Sequence, residues 1–343
     1  MSGQAQGMPA KQVLLGAAAG AFGATVAYIW LSSRKKAVRP LEPRPPPGFY
    51  RTTCDLSAFD AGGMNFNDPS PDGQSLYGLP HTVDEALVQV IPVPWEATAS
   101  YRLGTAAAPS AVLDHTEQVD LHDRESGDAW RCGIFMRGVD ARLEEWNAAA
   151  VALSKPVCAA GGPGDDAGML AACAQVDGFC EKMIGCVRAE ALAVLRAGKI
   201  PCVFGGDHSV AYPAISAMCD YLDERAGNPA RVGDPAAGAR GAAALGVLHI
   251  DAHCDLRENF EGFKYSHAGV FRHVLEDGRI GKLVSVGLRD VCDAEVQLVE
   301  QGAGTGSAVQ AFFDADVVHR MSEGETWARA AVIPCLDLRS ARS

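Results

Sequence analysis

The sequence lacks the excess of basic residues that nucleic-acid binding requires. Its 343 residues include 30 Lys and Arg against 42 Asp and Glu, which gives a net charge of −12. A protein that covers phosphates with Lys and Arg shows the opposite balance, so we expect no nucleic-acid partner. The hydrophobic fraction of 48% is ordinary for a folded protein and excludes a wholly disordered chain.

The sequence also lacks a CxxC pair. Its 11 cysteines are an odd number and are spread from Cys54 to Cys335. A secreted disulfide framework typically has an even and clustered set of cysteines. The pattern therefore favours a reducing compartment for the body of the protein.

The positive charge that is present is concentrated near the N-terminus. Residues 1–51 carry seven Lys and Arg and one acidic residue, so the rest of the chain carries −18. Residues 13–31 form an uncharged run that is just long enough to span a bilayer, and basic residues follow it at 34–36. The positive-inside rule then predicts a membrane anchor with the body facing the cytosol. An organelle-targeting segment and a disordered head stay open, because the run is rich in Ala and Gly.

These patterns divide the chain into three parts. Residues 1–36 are the targeting or membrane-anchor segment. Residues 37–51 form a linker that is too rich in proline for a helix or a central strand. Residues 52–343 are interpreted as one folded domain.

In this domain, short apolar runs alternate with stretches of helical periodicity. Helices are predicted over residues 179–196 and 211–222, where apolar residues recur at helical spacing. Residues 158–168 and 226–243 are rich in Gly, Ala and Pro and are predicted as surface insertions. The apolar runs predict buried strands at 87–91, 200–204, 245–250 and 282–287. This alternation predicts an α/β fold with a parallel sheet that is covered on both faces.

Two clusters of polar residues follow predicted strands. GGDHS (residues 205–209) follows one strand, and HIDAHCD (residues 249–255) contains the end of another. Open α/β sheets bind their ligands at the carboxyl ends of the strands. Asp251, His253 and Asp255 would lie on one side of an extended segment, because they are two residues apart.

Together with His208, these three residues form a mixed oxygen and nitrogen donor set that suits Mn²⁺, Ni²⁺, Zn²⁺ or Fe²⁺. A single His or Asp after a strand is more often a turn or cap residue. Four candidates in two clusters favour a metal site instead. His249 lies within the strand and is predicted to point into the core.

The motifs resemble those of the ureohydrolase family, which includes arginase and agmatinase. The resemblance rests on GGDHS (205–209), DAHxD (251–255) and YSHA (265–268) in this order, with an upstream match in VPWEATASY (93–101). The resemblance covers residues 85–337. Two further segments, QVDL (118–121) and EGFKYSH (261–267), resemble an agmatinase-like branch that includes guanidine hydrolases. A different metal-dependent amidohydrolase, such as a deacetylase relative, is not expected to combine these motifs.

The resemblance implies a three-layer α/β/α domain around a mainly parallel sheet, with two divalent metal ions. The ions are usually Mn²⁺, and in some guanidine hydrolases Ni²⁺. The implied substrate is a small guanidino compound, such as agmatine, guanidinobutyrate, guanidine or arginine, which is hydrolysed to urea and an amine. A guanidinium group is a poor electrophile, so the reaction needs the strong nucleophile that two metal ions supply. The resemblance also implies a homo-oligomer, either a trimer or a hexamer.

The resemblance assigns roles to individual residues. His208 and Asp255 would bind one ion, His253 would bind the other, and Asp251 would bridge the two. His267 matches the histidine that passes a proton to the leaving amine, a role that suits an imidazole. Asp207 is predicted to orient the turn at the strand end and not to bind metal.

One family motif is not intact. The family carries Ser-x-Asp-x-Asp-x-x-Asp-Pro, whose first two aspartates complete the metal site, and the sequence near the expected place is IPCLDLR (333–339). Asp337 can stand for the first aspartate, but Arg339 occupies the second position and cannot bind metal. Asp314 and Asp316 also have DxD spacing and are interpreted as a strand-end turn. The pattern predicts a domain without its C-terminal part, and it leaves open a non-catalytic homologue that acts as a structural or regulatory subunit.

Overall fold

The computed structural model describes five stretches of the chain together with the backbone of one further segment. These are residues 75–116, 119–123, 127–227, 245–301 and 308–323, and the backbone of residues 25–29. They divide into two compact units, which are described one after the other. In the described part of the chain, the first unit holds residues 75–221 and 257–272, and the second holds residues 25–29, 222–256 and 273–323.

The described residues form strands and helices in alternation along most of the chain. The strands are β1 (Thr25–Ile29), β2 (Val88–Pro92), β3 (Ile134–Met136), β4 (Ile200–Phe204), β5 (Leu245–Ile250), β6 (Ile280–Leu288) and β7 (Ala308–Phe313). The helices are α1 (Ala108–His115), α2 (Ala141–Ala159), α3 (Ala167–Arg196), α4 (Ala211–Arg225), α5 (Val270–Glu276), α6 (Asp293–Gln301) and α7 (Asp314–Ser322).

The first unit contains a parallel sheet in the order β3-β2-β4. Helices α2 and α3 pack together, and α3 also packs on β2 and β4. The core between them is fully apolar at its centre, where Ile91, Trp95, Met183 and Val187 are each 0% exposed. The strands predicted from the apolar runs in this unit are therefore confirmed, with β2 beginning one residue later than predicted.

The long helix of the first unit differs from the prediction. Helix α3 begins at Ala167, well before the predicted start at residue 179, because the Asp166 side chain accepts a hydrogen bond from the Met169 N–H (2.8 Å) and caps the helix. Helix α2 continues to Ala159, past the predicted start of the insertion at residue 158. The prediction of a surface insertion over 158–168 was therefore wrong at both ends, and the connection is short.

The second unit contains a sheet in the order β1-β5-β6-β7, in which β5, β6 and β7 are parallel. Its core includes Leu248, Val284 and Val286 from the strands, and Val317 from α7. The predicted strands at 245–250 and 282–287 are confirmed, and β6 extends beyond its prediction at both ends. The α/β class with parallel strands is thus confirmed in each unit. Residues 228–243 of the second predicted insertion lie outside the described residues.

The structure does not support the predicted membrane anchor over residues 13–31. Residues 25–29 of that run form β1, which pairs with β5 in antiparallel register along its whole length. The remaining residues of the run lie outside the described residues. In the stretches that the structure describes, no helix is long and apolar enough to cross a membrane.

Candidate functional site

The segment after β4, residues 205–209, is shaped by two glycines. Gly206 has φ +73°, and a Cβ atom there would lie 2.4 Å from the Trp95 carbonyl oxygen. A Cβ atom on Gly205 would lie 2.3 Å from Cγ of Pro109. Only glycine fits at both places, because the backbone turns sharply against neighbouring segments. We call residues 205–209 the β4 end.

The Asp207 carboxylate accepts four hydrogen bonds, two from Ser209 and two from Thr98. Its Oδ1 accepts from the N–H and the hydroxyl of Ser209, at 3.0 and 2.5 Å. Its Oδ2 accepts from the N–H and the hydroxyl of Thr98, at 3.3 and 3.2 Å. These four donors satisfy a carboxylate that is 8% exposed, so the prediction that Asp207 orients the turn is confirmed.

Two candidate histidines lie in the first unit, each at the start of a 3₁₀ turn. His208 begins the turn His208–Val210, and His267 begins the turn His267–Gly269. The His208 ring contacts the ring of Phe271 edge-on, with centroids 5.4 Å apart. The two turns contact each other, so the first unit brings these two predicted site residues into neighbouring segments.

The segment before His267 is held by an aspartate that the sequence analysis missed. Asp177 of α3 accepts hydrogen bonds from the N–H groups of Lys264 and Tyr265, at 3.0 and 3.4 Å. Burial is the main reason that the pKa of Asp177 is raised above its usual range. A second acid on α3, Glu181, accepts from the Tyr265 hydroxyl at 3.2 Å. Helix α3 thereby fixes the chain just before His267.

The second unit brings together His249, Asp251 and Asp255 around the end of β5. One donor atom from each of these three residues lies within 4.8 Å of the other two. The carboxylates are largely buried, with the Asp251 side chain 12% exposed and Asp255 6% exposed. Two like charges at this separation repel each other, and a divalent cation would offset that repulsion. One imidazole and two carboxylates therefore fit a divalent metal ion by their chemistry.

The backbone around this group, residues 251–255, is tied to β6. We call these residues the β5 end. The Asp251 N–H donates to the Val286 carbonyl at 3.1 Å, and the N–H of Arg289 donates to the Ala252 carbonyl at 2.9 Å. Asp255 has φ +51°, a left-handed conformation that Asp tolerates better than most residues.

His249 is fully buried, as predicted, but it also belongs to this group. Its Nδ1 lies 3.0 Å from the Ser285 hydroxyl oxygen, and its Nε2 lies 3.7 Å from Oδ2 of Asp251. The prediction that His249 only fills the core is therefore incomplete. The sequence signal was present, since His249 is two residues before Asp251 in an extended strand and shares its face.

His253 lies beside the group and is not one of its three members. Its side chain is 55% exposed, with Nδ1 3.3 Å from Oδ1 of Asp251 and Nε2 3.8 Å from Oδ2 of Asp290. Its backbone N–H also donates to Oδ1 of Asp251 at 2.8 Å. His253 thus contacts the Asp251 carboxylate from the solvent side of the β5 end.

A buried glutamate supports the β5 end from behind. Glu295 of α6 is 4% exposed and accepts from the N–H of Leu256 at 3.0 Å and from the N–H of Cys292 at 3.1 Å. Burial, aided by nearby Glu295 and Asp255, raises the pKa of the Cys254 thiol to about 12. Cys254 therefore stays a neutral thiol at physiological pH.

The comparisons with known proteins agree with these motifs. The profile of the arginase family matches residues 86–325. The chain belongs to the arginase family. Among its curated relatives are the N(1)-aminopropylagmatine ureohydrolases of Thermus thermophilus, at 28% identity over 69% of this chain and 60% of the relative, and of Synechocystis, at 29% identity over 63% and 55%. The chain thus spans between 55% and 60% of the length of these relatives.

Two solved structures are among those that match part of this chain. The agmatine ureohydrolase of Thermoplasma volcanium matches with a TM-score of 0.44 and 20% identity, over 75% of this chain and 68% of that one. An arginase from Medicago truncatula matches with a TM-score of 0.40 and 23% identity, over 66% and 57%.

The structure does not describe the segment of this arginase-family chain that corresponds to the third family motif. Asp337 and Arg339 lie outside the described residues. Asp314 and Asp316, which were interpreted as a strand-end turn, do follow β7 directly, but they form the first turn of α7. Acidic side chains are favourable at a helix N-terminus, which accounts for their spacing without a metal.

Proposed function

We propose that this protein is a metal-dependent ureohydrolase that converts a small guanidino compound to urea and an amine. Membership of the arginase family and the donor set at the β5 end support this proposal. The grouping of His249, Asp251 and Asp255 is the observation that carries it. Two largely buried carboxylates beside an imidazole form a site that a divalent cation stabilises.

We further propose that two divalent ions of the same metal bind. Mn²⁺ is the expected metal, and Ni²⁺ is the alternative. The family pattern assigns His208, Asp251, His253, Asp255 and Asp337 as ligands, and the grouping at the β5 end adds His249 as a candidate. When bound, the two metal ions would lower the pKa of a water molecule and so supply a nucleophile at neutral pH. The protein's own contribution is to fix the carboxylates before binding, through the ties of the β5 end to β6 and through Glu295.

His267 is proposed as the general acid that protonates the leaving amine. An imidazole suits this role because it can gain and lose a proton near neutral pH. Its turn is held by Asp177 and Glu181 of α3 on the N-terminal side. Removal of a general acid typically lowers the rate by about 10²–10⁴-fold.

The proposal is tested by urea release from agmatine, guanidinobutyrate, guanidine and arginine, with the full chain loaded with Mn²⁺ or Ni²⁺. We expect urea from at least one compound, no urea with Asp251→Asn, and a rate about 10²–10⁴-fold lower with His267→Ala. His115→Ala is the matched control, because His115 is exposed at the end of α1. A folded chain that releases no urea with either metal contradicts the proposal and favours a non-catalytic subunit.

A second experiment tests whether His253 is a metal ligand. If the family pattern holds, His253→Ala lowers the metal content of the purified chain and leaves the fold intact, because the side chain is 55% exposed. Unchanged metal content would remove His253 from the ligand set and leave His208 and His249 as the candidate histidine donors.

The cellular location and the oligomeric state remain predictions from the sequence. Residues 1–36 are proposed to direct the chain to an organelle, with residues 37–51 as a linker to the domain at 52–343. Imaging of residues 1–51 fused to a fluorescent protein tests the targeting, and a diffuse signal would contradict it. The proposed trimer or hexamer is tested by sedimentation of the full chain.

A further inference from the structure

The side chain of Thr98 lies between those of Asp207 and His267. It lies in the segment after β2 and is 1% exposed. On one side its hydroxyl is 3.2 Å from Oδ2 of Asp207. On the other side its Oγ1 is 3.2 Å from the His267 N–H nitrogen and 3.5 Å from the ring atom Nδ1 of His267. All three residues belong to the first unit.

The chemistry of the three groups fixes the direction of these hydrogen bonds. An ionised carboxylate can only accept, and a hydroxyl proton turned towards Nδ1 would leave lone pairs of Thr98 Oγ1 and Asp207 Oδ2 facing each other at 3.2 Å, so the proton is directed to Asp207. The Thr98 oxygen then has only its two lone pairs left. One lone pair accepts from the backbone N–H of His267, and the other faces Nδ1 of the ring. Nδ1 must therefore carry a hydrogen to bond with Thr98.

Neighbouring groups hold both Asp207 and the His267 ring in this arrangement. Asp207 is held by the Ser209 N–H and hydroxyl, so the carboxylate cannot turn away without losing both bonds. The Phe260 ring contacts the His267 ring edge-on, with centroids 5.9 Å apart, and restricts ring rotation. The β4 end thereby reaches the His267 ring through a single hydroxyl group.

We propose that Thr98 is a positioning residue for His267, which it holds in the Nδ1–H tautomer so that Nε2 is the atom that exchanges the proton. This inference rests on the proposed function, in which His267 protonates the leaving amine. The imidazolium gives the hydrogen on Nε2 to the amine nitrogen as the C–N bond breaks, and it becomes the neutral Nδ1–H form. The tautomer left behind is the one that Thr98 stabilises, so the ring need not reorient between turnovers.

The direct test is ¹⁵N NMR of the full chain labelled at histidine, with the His267 signals identified by their loss in His267→Gln. At a pH where the ring is neutral, we expect the Nδ1–H pattern in the wild type and in Thr98→Ser. In Thr98→Val, which has nearly the same shape but no hydroxyl, we expect the Nε2–H form to appear. A wild-type ring in the Nε2–H form overturns the proposal without any variant, and so does a Thr98→Val spectrum that matches the wild type.

Kinetics provide the second readout. Thr98→Val should lower kcat by about 10–100-fold with little change in KM, and Thr98→Ser should restore most of the rate. Thr105→Val is the matched control, because Thr105 is an exposed threonine of the same segment whose hydroxyl lies 3.4 Å from Glu96. Equal losses of kcat in Thr98→Val and Thr98→Ser would contradict a role for the hydroxyl. If no guanidino compound yields urea but the NMR pattern follows Thr98, the proposed function fails while the positioning of the ring stands.

Discussion

The β4 end and the β5 end are both polar segments after parallel strands, yet they use their carboxylates in opposite ways. At the β4 end, Asp207 accepts four hydrogen bonds from Thr98 and Ser209 and is satisfied within the protein. At the β5 end, Asp251 and Asp255 place donor atoms within 4.8 Å of each other and of His249. An aspartate at a strand end is therefore structural where N–H and O–H donors surround it, and a candidate ligand where it faces another carboxylate.

The largest expected effect comes from a substitution that strains the backbone of the β4 end. Gly206→Ala places a Cβ atom 2.4 Å from the Trp95 carbonyl oxygen at a φ of +73°. We expect the free energy of unfolding to fall by about 2–5 kcal/mol, from strain and overpacking together. Urea denaturation measures it. Gly185→Ala is the control: a Cβ there meets nothing within 4 Å, and alanine should stabilise α3 by about 0.5–1 kcal/mol. Equal effects of both changes would contradict the close approach.

The next effect distinguishes the β5 end by its response to metal. Mn²⁺ at about 100 times its dissociation constant should raise the free energy of unfolding by about 2.7 kcal/mol. Asp255→Asn should abolish this stabilisation while keeping the fold, because Asn also tolerates the φ of +51°. Asp293→Asn serves as the control, since Asp293 is an exposed acid in the first turn of α6. Thermal unfolding with and without Mn²⁺ makes the measurement, and a Mn²⁺ response that survives Asp255→Asn would remove Asp255 from the site.

A smaller effect is expected from the glutamate behind the β5 end. Glu295→Ala leaves the N–H groups of Leu256 and Cys292 without their acceptor in a buried place, which costs about 1–3 kcal/mol. Mn²⁺ affinity should also fall, because Leu256 directly follows Asp255. Titration calorimetry measures that affinity. Glu295→Gln keeps a side-chain oxygen that can accept and should lie between Glu295→Ala and the wild type.

The smallest expected effect comes from removing one hydrogen-bond donor to Asp207 at the β4 end. Ser209→Ala removes one of the four donors to Asp207 and should cost about 1 kcal/mol. Because Asp207 keeps its other three donors, the Mn²⁺ content should stay the same. A loss of bound metal in Ser209→Ala would show that the β4 end depends on this hydroxyl more than its hydrogen bonds indicate.

Much of the fold could be predicted because its signals are local. Continuous apolar runs identified β2, β4, β5 and β6, and helical spacing identified the second half of α3. The start of α3 was missed because its cap, Asp166, stands in a stretch rich in Gly and Pro that is typical of a loop. The antiparallel pairing of β1 with β5 was missed because pairing partners distant in sequence leave no periodic signal.

The candidate site could be predicted only where its residues form motifs. His208, Asp251, Asp255 and His267 stand in recognisable clusters. The support for those clusters comes from residues far away in sequence, and three of them were missed: Thr98, Asp177 and Glu295. Their roles depend on which segments the fold brings into contact, and a single sequence does not contain that information.

The most direct test of the central claim is the number of metal ions bound per chain. Elemental analysis of the purified full chain after loading with Mn²⁺ and removal of excess metal would give this number. We expect two Mn²⁺ ions per chain, and fewer in Asp251→Asn. A folded chain that retains one ion or none after loading with Mn²⁺ or with Ni²⁺ would contradict the two-ion centre on which the proposed hydrolysis depends.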